Sequence, residues 1–246
     1  MGDEKVINNT AEPDSSNDLP SDEAIRRTEK YVLLDRDGRT HTFQSLYSGH
    51  NVAQRVLVVF VRHFFCGNCQ EFLRSLSDAI TPEALLALPS STFIVVVGCG
   101  DPALIQMYAD ATGCRFPIYT DPKGSLYDEL GMVKTLALGD RPAYMRKSMT
   151  KGIVDSIGQA LRSVPSGLAL KSGDHRQVGG EFLFVPLRQR GDTPAVDEEE
   201  EKDEEMPEPK RVSWCHRMRT TRDHAEIAEI IDVLGLQKEA VDGAAA

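Results

Sequence analysis

Five cysteines are spread over 246 residues, and two of them, Cys66 and Cys69, are separated only by Gly67 and Asn68. That spacing puts the thiols about one helical turn apart, close enough to form a disulfide. Residues 55–61, just before the pair, are an aliphatic and β-branched run, and Phe72, Leu73, Leu76 and Ile80 after it recur at helical spacing. A strand therefore delivers the cysteines to the start of a helix. Unpaired backbone N–H groups and the positive end of the helix dipole favour a thiolate at Cys66 there, and Arg62 and His63 could add positive charge. Cys66 is thus the candidate nucleophile and Cys69 the thiol that closes onto it after oxidation, with Gly67 letting the backbone turn between them. The alternative is a pair of reduced, buried core cysteines. A tetrahedral metal site would need two further ligands, and the sequence has no second Cys-x-x-Cys and no His-x-x-x-His. Neither a metal nor a cofactor is expected.

Other residues invite chemistry less strongly. Cys99 follows a second aliphatic run, 92–97, at the sheet edge where α/β sites gather, so it could approach Cys66. Its simpler reading is a small residue in the tight turn Gly98-Cys99-Gly100. That turn lacks the further glycines and the Lys-Ser/Thr of a phosphate-binding loop. Cys114 and Cys215 read as packing residues. His63 reads equally as a base or as a partly buried histidine at a strand end.

The composition, 41% hydrophobic and 27% charged, is that of globular protein, with a net charge of −10. Residues 197–205 hold eight acids and one lysine, so this run supplies seven of those ten charges and reads as a solvated loop. No basic stripe with interleaved aromatics exists, which argues against nucleic-acid binding. The longest apolar stretch, 56–61, is far too short for a membrane, and the first residues lack the apolar core of a secretion signal. An odd number of irregularly spaced cysteines fits a reducing compartment better than a secreted disulfide framework, so a cytoplasmic protein is expected.

The elements that must position the cysteines can be read in order. Residues 1–24 are polar enough to predict a disordered tail. Asp37-Gly38 between two extended runs predicts a β-hairpin over 31–43, closed by a helical turn. After the strand and helix around the cysteines come a helical piece near 83–88, the strand 92–97, and a helix opened by Asp101-Pro102 and ended by Gly113. A short strand at 116–120 and a helix at 125–130 complete a βαβαβα series, which calls for a mainly parallel sheet. An amphipathic helical insertion is expected over about 146–173. Two antiparallel strands, 179–185 and 212–216, then flank an enlarged acidic loop over about 190–210. Asp223 and Glu226 give a capping-box-like start to a last helix, and 237–246 form a second disordered tail. One α/β domain over 30–236 follows, with no internal repeat.

The segment 56–70, Val-Leu-Val-Val-Phe-Val-Arg-His-Phe-Phe-Cys-Gly-Asn-Cys-Gln, resembles the active-site segment of the peroxiredoxin-like AhpC/TSA antioxidant-domain family (the peroxiredoxin-like 2 group) of the thioredoxin superfamily. Residues 95–102, 117–122, 126–131 and 179–182 resemble the same family in the same order. The resemblance implies a thioredoxin-like fold, a central mixed sheet flanked by helices. It also implies antioxidant thiol chemistry, in which a Cys66-Cys69 dithiol reduces a peroxide or disulfide and is reset by a cellular thiol of the thioredoxin or glutathione type. Typical peroxiredoxins resemble Pro-x-x-x-Thr/Ser-x-x-Cys at this site. Val59 and His63 stand at the proline and hydroxyl positions here, which predicts hydrogen peroxide reduction far slower than in a typical peroxiredoxin, with thiol-disulfide exchange spared. Thioredoxin places a cis-proline opposite its cysteines, where Gly179 or Gly180 stands in this chain. A thioredoxin-fold interaction module without catalysis, or a redox accessory enzyme acting on a small-molecule metabolite or lipid peroxide, is the competing expectation, and oligomeric state is left open.

Overall fold

The computed structural model describes residues 17–145, 171–187 and 209–236. The chain enters on helix α1 (Asp22–Thr28), capped by the Ser21 hydroxyl, which accepts from the Ala24 N–H at 3.2 Å. Order thus begins inside the segment whose composition predicted a tail. Two contacts from distant sequence explain it. Ile25 is buried in the core, and Arg217 donates its backbone N–H to Asn17 Oδ1 at 3.0 Å and its Nη1 to the Asp18 carbonyl at 2.8 Å.

The expected hairpin forms from β1 (Val32–Leu34) and β2 (Thr40–Thr42). Gly38 supplies its left-handed turn at φ 75°, and α2 (Phe43–Tyr47) follows directly. Next come β3 (Arg55–Phe60), α3 (Gly67–Ala79), α4 (Pro82–Leu86) and β4 (Thr92–Gly98). A 3-10 turn (Pro102–Leu104) then leads into α5 (Ile105–Thr112), followed by β5 (Ile118–Thr120) and α6 (Ser125–Glu129). Asp101 and Gly113 bound the turn and α5 as predicted, the first by accepting from the Ala103 N–H at 3.0 Å, the second with φ 63°. The chain ends on β6 (Gly180–Pro186), β7 (Lys210–Arg217) and α7 (Ile227–Leu234).

These strands make one sheet in the order β2-β1-β5-β4-β3-β6-β7. β3, β4 and β5 are parallel, while β1, β6 and β7 run antiparallel to their neighbours. Side-chain alternation along β3 divides the core between the two faces. Leu57 and Val59 pack with α3, α5 and α7, and Val56, Val58 and Phe60 pack with residues of α1, α2 and α6. This is the thioredoxin-like α/β arrangement.

The start of α7 departs from expectation. Glu226 is its N-cap residue but makes no side-chain cap bond. Its carboxylate accepts instead from the Ala143 N–H at 2.9 Å, and Asp223 accepts from Arg219, so both acids of the expected capping box are occupied elsewhere. The insertion at 146–173 lies outside the described residues except for 171–173. The acidic loop at 190–210 does so except for 209 and 210, and the tail at 237–246 lies wholly outside.

Candidate active site

The β3 to α3 connection builds the site. A tight turn runs from His63 to Cys66, whose N–H donates to the His63 carbonyl at 2.9 Å, and Gln70 Nε2 pins it by donating to the Phe64 carbonyl at 3.1 Å. Cys66 ends up as the N-cap residue of α3, in extended conformation, with its sulfur accepting from the Cys69 N–H at 3.5 Å. That is the role a serine or aspartate usually plays at a helix start, and it favours the anionic form of the side chain. Gly67 is the first helical residue and is not among the positive-φ glycines, so the turn does not depend on its special freedom.

Arg62 serves both sulfurs. Its Nη1 donates to Cys66 Sγ at 3.2 Å and its backbone N–H to Cys69 Sγ at 3.5 Å. The guanidinium is itself aimed by the 175–177 segment: Nε donates to the Gln177 carbonyl at 3.1 Å and Nη2 to the His175 carbonyl at 2.5 Å. The two thiols therefore take on opposite character. Cys66 is lowered from an ordinary 9.0 to about 5 by a hydrogen bond from the Cys69 thiol, by the Arg62 charge and by the Cys69 N–H, which together outweigh burial. Burial, with the sulfur of Cys66 alongside, pushes Cys69 well up. One sulfur is poised as thiolate and its neighbour keeps a proton. Both are buried, Cys66 at 3% exposure and Cys69 at 0%.

The remaining candidates are distributed differently. His63 is buried 4.1 Å ring to ring from His175, and its Nδ1 finds no hydrogen-bond partner among the described residues. Burial and the neighbouring His175 and Arg62 push it well below the usual histidine range, so of the two candidates Arg62 is the one that supplies positive charge at Cys66. Cys99 packs on the opposite face of the sheet from Cys66 and Cys69, and burial pushes its thiol up to about 12. Its flanking glycines seat a side chain. A Cβ on Gly98 would strike the Phe64 ring, and one on Gly100 would strike both that ring and the Ser172 carbonyl. Gly179 lets β3 and the entry to β6 approach, since a Cβ there would collide with the Phe60 carbonyl.

Sequence reasoning missed two residues of the site, one that touches Cys69 and one that touches the first. His224 Nε2 lies 3.3 Å from Cys69 Sγ, and its Nδ1 lies 2.6 Å from Glu181 Oε1. Both side chains are fully buried, and the imidazole stacks on Phe72 at 4.1 Å with the rings 6° from parallel. The signal for Glu181 was present: a carboxylate inside the otherwise apolar strand run Gly180-Glu181-Phe182-Leu183-Phe184 needs a buried partner. Nothing local to His224 revealed that it was the partner, 43 residues away.

Among the described residues no group of three His, Cys, Asp or Glu side chains is placed to hold a metal ion, and no helix is long and apolar enough to cross a membrane. A mixed sheet between helices, with a Cys-x-x-Cys capping the helix after its central strand, defines the thioredoxin-fold class. Within that class, residues 75–189 match the family described as AhpC/TSA antioxidant enzyme. Peroxiredoxin-like 2C from Mus musculus is 27% identical over 207 residues, spanning 83% of this chain and 77% of that protein. Its counterpart from Homo sapiens is 26% identical over the same shares. Among solved structures, Xanthomonas campestris Peroxiredoxin Q matches with a TM-score of 0.46 at 12% identity, covering 93% of this chain and 97% of its own. Peroxidoxin BcpB from Mycobacterium tuberculosis also gives 0.46, at 11% identity and coverage of 86% and 92%. On a thioredoxin-like fold, the chain is thus similar to the AhpC/TSA antioxidant enzyme family over 75–189 and to peroxiredoxin-like proteins over most of its length.

Proposed function

We propose that the protein is a thiol oxidoreductase in which Cys66 attacks a peroxide or small disulfide and Cys69 resolves the product. The observation that carries this reading is the split pair itself. One sulfur is stabilised as thiolate by the helix start and by Arg62 at 3.2 Å, and the second thiol lies within hydrogen-bond reach. With a peroxide, the Cys66 thiolate takes the terminal oxygen and becomes a sulfenate, releasing the alcohol or water. Cys69 then forms the disulfide with loss of water, and two thiols from a reductant of the thioredoxin or glutathione type restore the pair. The 3% exposure of Cys66 favours a small oxidant over a folded disulfide protein. Such a cycle belongs in a reducing compartment, and the cytoplasm is the proposed location. The reading is tested by treating the reduced protein with limiting hydrogen peroxide and mapping its cysteines, with Cys66 and Cys69 expected to be joined to each other.

A further inference from the structure

Cys66 and Cys69 face different chemical requirements. Cys66 reacts as a thiolate that Arg62 and the helix start already stabilise. Cys69 is fully buried and must lose a proton before it can attack the sulfur of Cys66. The Arg62 guanidinium points to Cys66, and among the described residues the polar side chain within hydrogen-bond distance of the Cys69 sulfur, besides Cys66, is the His224 imidazole.

The geometry around that imidazole fixes what it can do. Glu181 lies on the same sheet face as Leu183 and Val59, beneath α3, by the alternation of β6 and its pairing with β3. Both its oxygens are engaged, Oε1 with His224 Nδ1 at 2.6 Å and Oε2 with the Ala225 N–H at 3.3 Å. A carboxylate that accepts from Nδ1 leaves Nε2, 3.3 Å from Cys69 Sγ, as the nitrogen able to take a proton in the neutral ring. Phe72 holds the ring flat. The loop bearing it is tied down by Tyr144, whose hydroxyl donates to the Arg222 carbonyl at 2.8 Å, and by Asn68, whose Nδ2 donates to the Thr221 carbonyl at 3.1 Å. A cleft of about 360 Å³ between Arg141 and Arg219 is lined in part by His224, whose imidazole is itself fully buried.

We infer that His224 is the general base of the resolving step, taking the Cys69 proton as Cys69 attacks oxidised Cys66, and that Glu181 is the positioning residue that fixes its tautomer. The inference rests on the reading of Cys66 and Cys69 as a redox pair. In the step, the Cys69 S–H proton passes to Nε2, the Cys69 electron pair forms the S–S bond, and the S–O bond of the Cys66 sulfenic acid breaks. The sulfenate takes one proton from solvent to become the acid and the departing hydroxide takes a second and leaves as water, so His224 keeps the Cys69 proton. The peroxide is the oxidant of the pair, and the thiol reductant later supplies two electrons and two protons. When the disulfide is reduced, His224 returns the proton to Cys69. The arrangement follows the nucleophile, base and orienting carboxylate logic of hydrolytic triads, applied to the second thiol rather than the first.

Single-turnover oxidation by hydrogen peroxide separates the two steps, with loss of Cys66 thiolate reporting the first and acid-quenched disulfide the second. His224→Gln should slow the second step by roughly a hundredfold relative to the first, the usual weight of a positioned base. Cys66 sulfenic acid should then accumulate and be captured by dimedone. Glu181→Gln should slow the second step less. In the unaltered protein, disulfide formation should fall toward acid in a limb absent from the alkylation profile of Cys66. Of the charged and titratable groups, Glu181 from β6 and Cys69 from α3 touch the ring, with the Cys66 sulfur and Arg62 beyond Cys69. The adjacent cleft carries His216 from β7, Arg222, Asp223 and Glu226 from the ring's own segment, and Arg141, Arg219 and Glu229. Unaltered resolution rates in both folded variants would overturn the inference while leaving the redox reading intact. If neither variant folds, the unaltered protein decides, because a resolution profile that tracks Cys66 ionisation alone also overturns it. Absence of any Cys66-Cys69 disulfide in the unaltered protein would instead defeat the redox reading and this inference with it.

Discussion

Replacing Arg62 with glutamine removes the one guanidinium that donates to Cys66 Sγ, at 3.2 Å, while keeping a polar side chain of similar reach. A charge-assisted hydrogen bond contributes about 1.5–3 kcal/mol, and one pKa unit corresponds to about 1.36 kcal/mol. The Cys66 thiol should therefore rise by roughly one to two units from about 5, leaving the Cys69 contacts and the helix start to hold it below an ordinary 9.0. Because the shifted value still lies near or below neutrality, alkylation at pH ~7 should change little, and the difference should emerge at mildly acid pH. The sign is fixed by the direction of the shift: a lowered pKa keeps the unaltered thiolate reactive down to about 5, and the variant loses that reactivity earlier as pH falls. Rates of iodoacetamide modification against pH, with Cys66 identified by peptide mapping, give the midpoint directly. Arg62 also donates to the Gln177 and His175 carbonyls, so the variant should lose some stability as well. Arg62→Lys, which retains the charge without the fork, should restore part of the shift. An unmoved midpoint in a folded Arg62→Gln protein would refute the assignment of Arg62 as the stabilising charge.

Two further outcomes follow from the site. Gly179→Ala should destabilise the protein by about 1–3 kcal/mol or more, read as a lower urea midpoint, because its methyl meets the Phe60 carbonyl, which is backbone and cannot turn aside. Peroxide reduction should be about a hundredfold slower than in a typical peroxiredoxin, since one missing transition-state donor costs about that much. Stopped-flow oxidation of Cys66 checks this, and typical rates would mean that another group replaces the missing hydroxyl.

The sequence conveyed the order of elements well, because each has its own punctuation. Asp37-Gly38 turned the hairpin, Asp101-Pro102 opened the 3-10 turn before α5, and Gly113 ended α5 with φ 63°. The Cys66-x-x-Cys69 step and the contribution of Arg62 were legible because they lie within one strand-to-helix turn, where spacing dictates geometry. What was hidden depends on distant partners. Helix α1 owes its place to Ile25 and to Arg217 at the far end of the chain. The Glu181 to His224 contact joins a strand to a loop that only the folded sheet brings beneath α3. His63 read equally as a base or a buried histidine from the sequence, and burial beside His175 decides for the second. The acids Asp223 and Glu226 had capping spacing but found closer partners in Arg219 and Ala143.

The central claim is that Cys66 and Cys69 form a redox pair, and the most direct measurement is peptide mapping by mass spectrometry after limiting hydrogen peroxide, with free thiols blocked before digestion. The account predicts a Cys66-Cys69 disulfide as the dominant product, with Cys99 buried on the other sheet face and recovered as free thiol. Cys66 linked mainly to Cys99 or Cys114, or no disulfide at all with Cys66 unmodified, would contradict it.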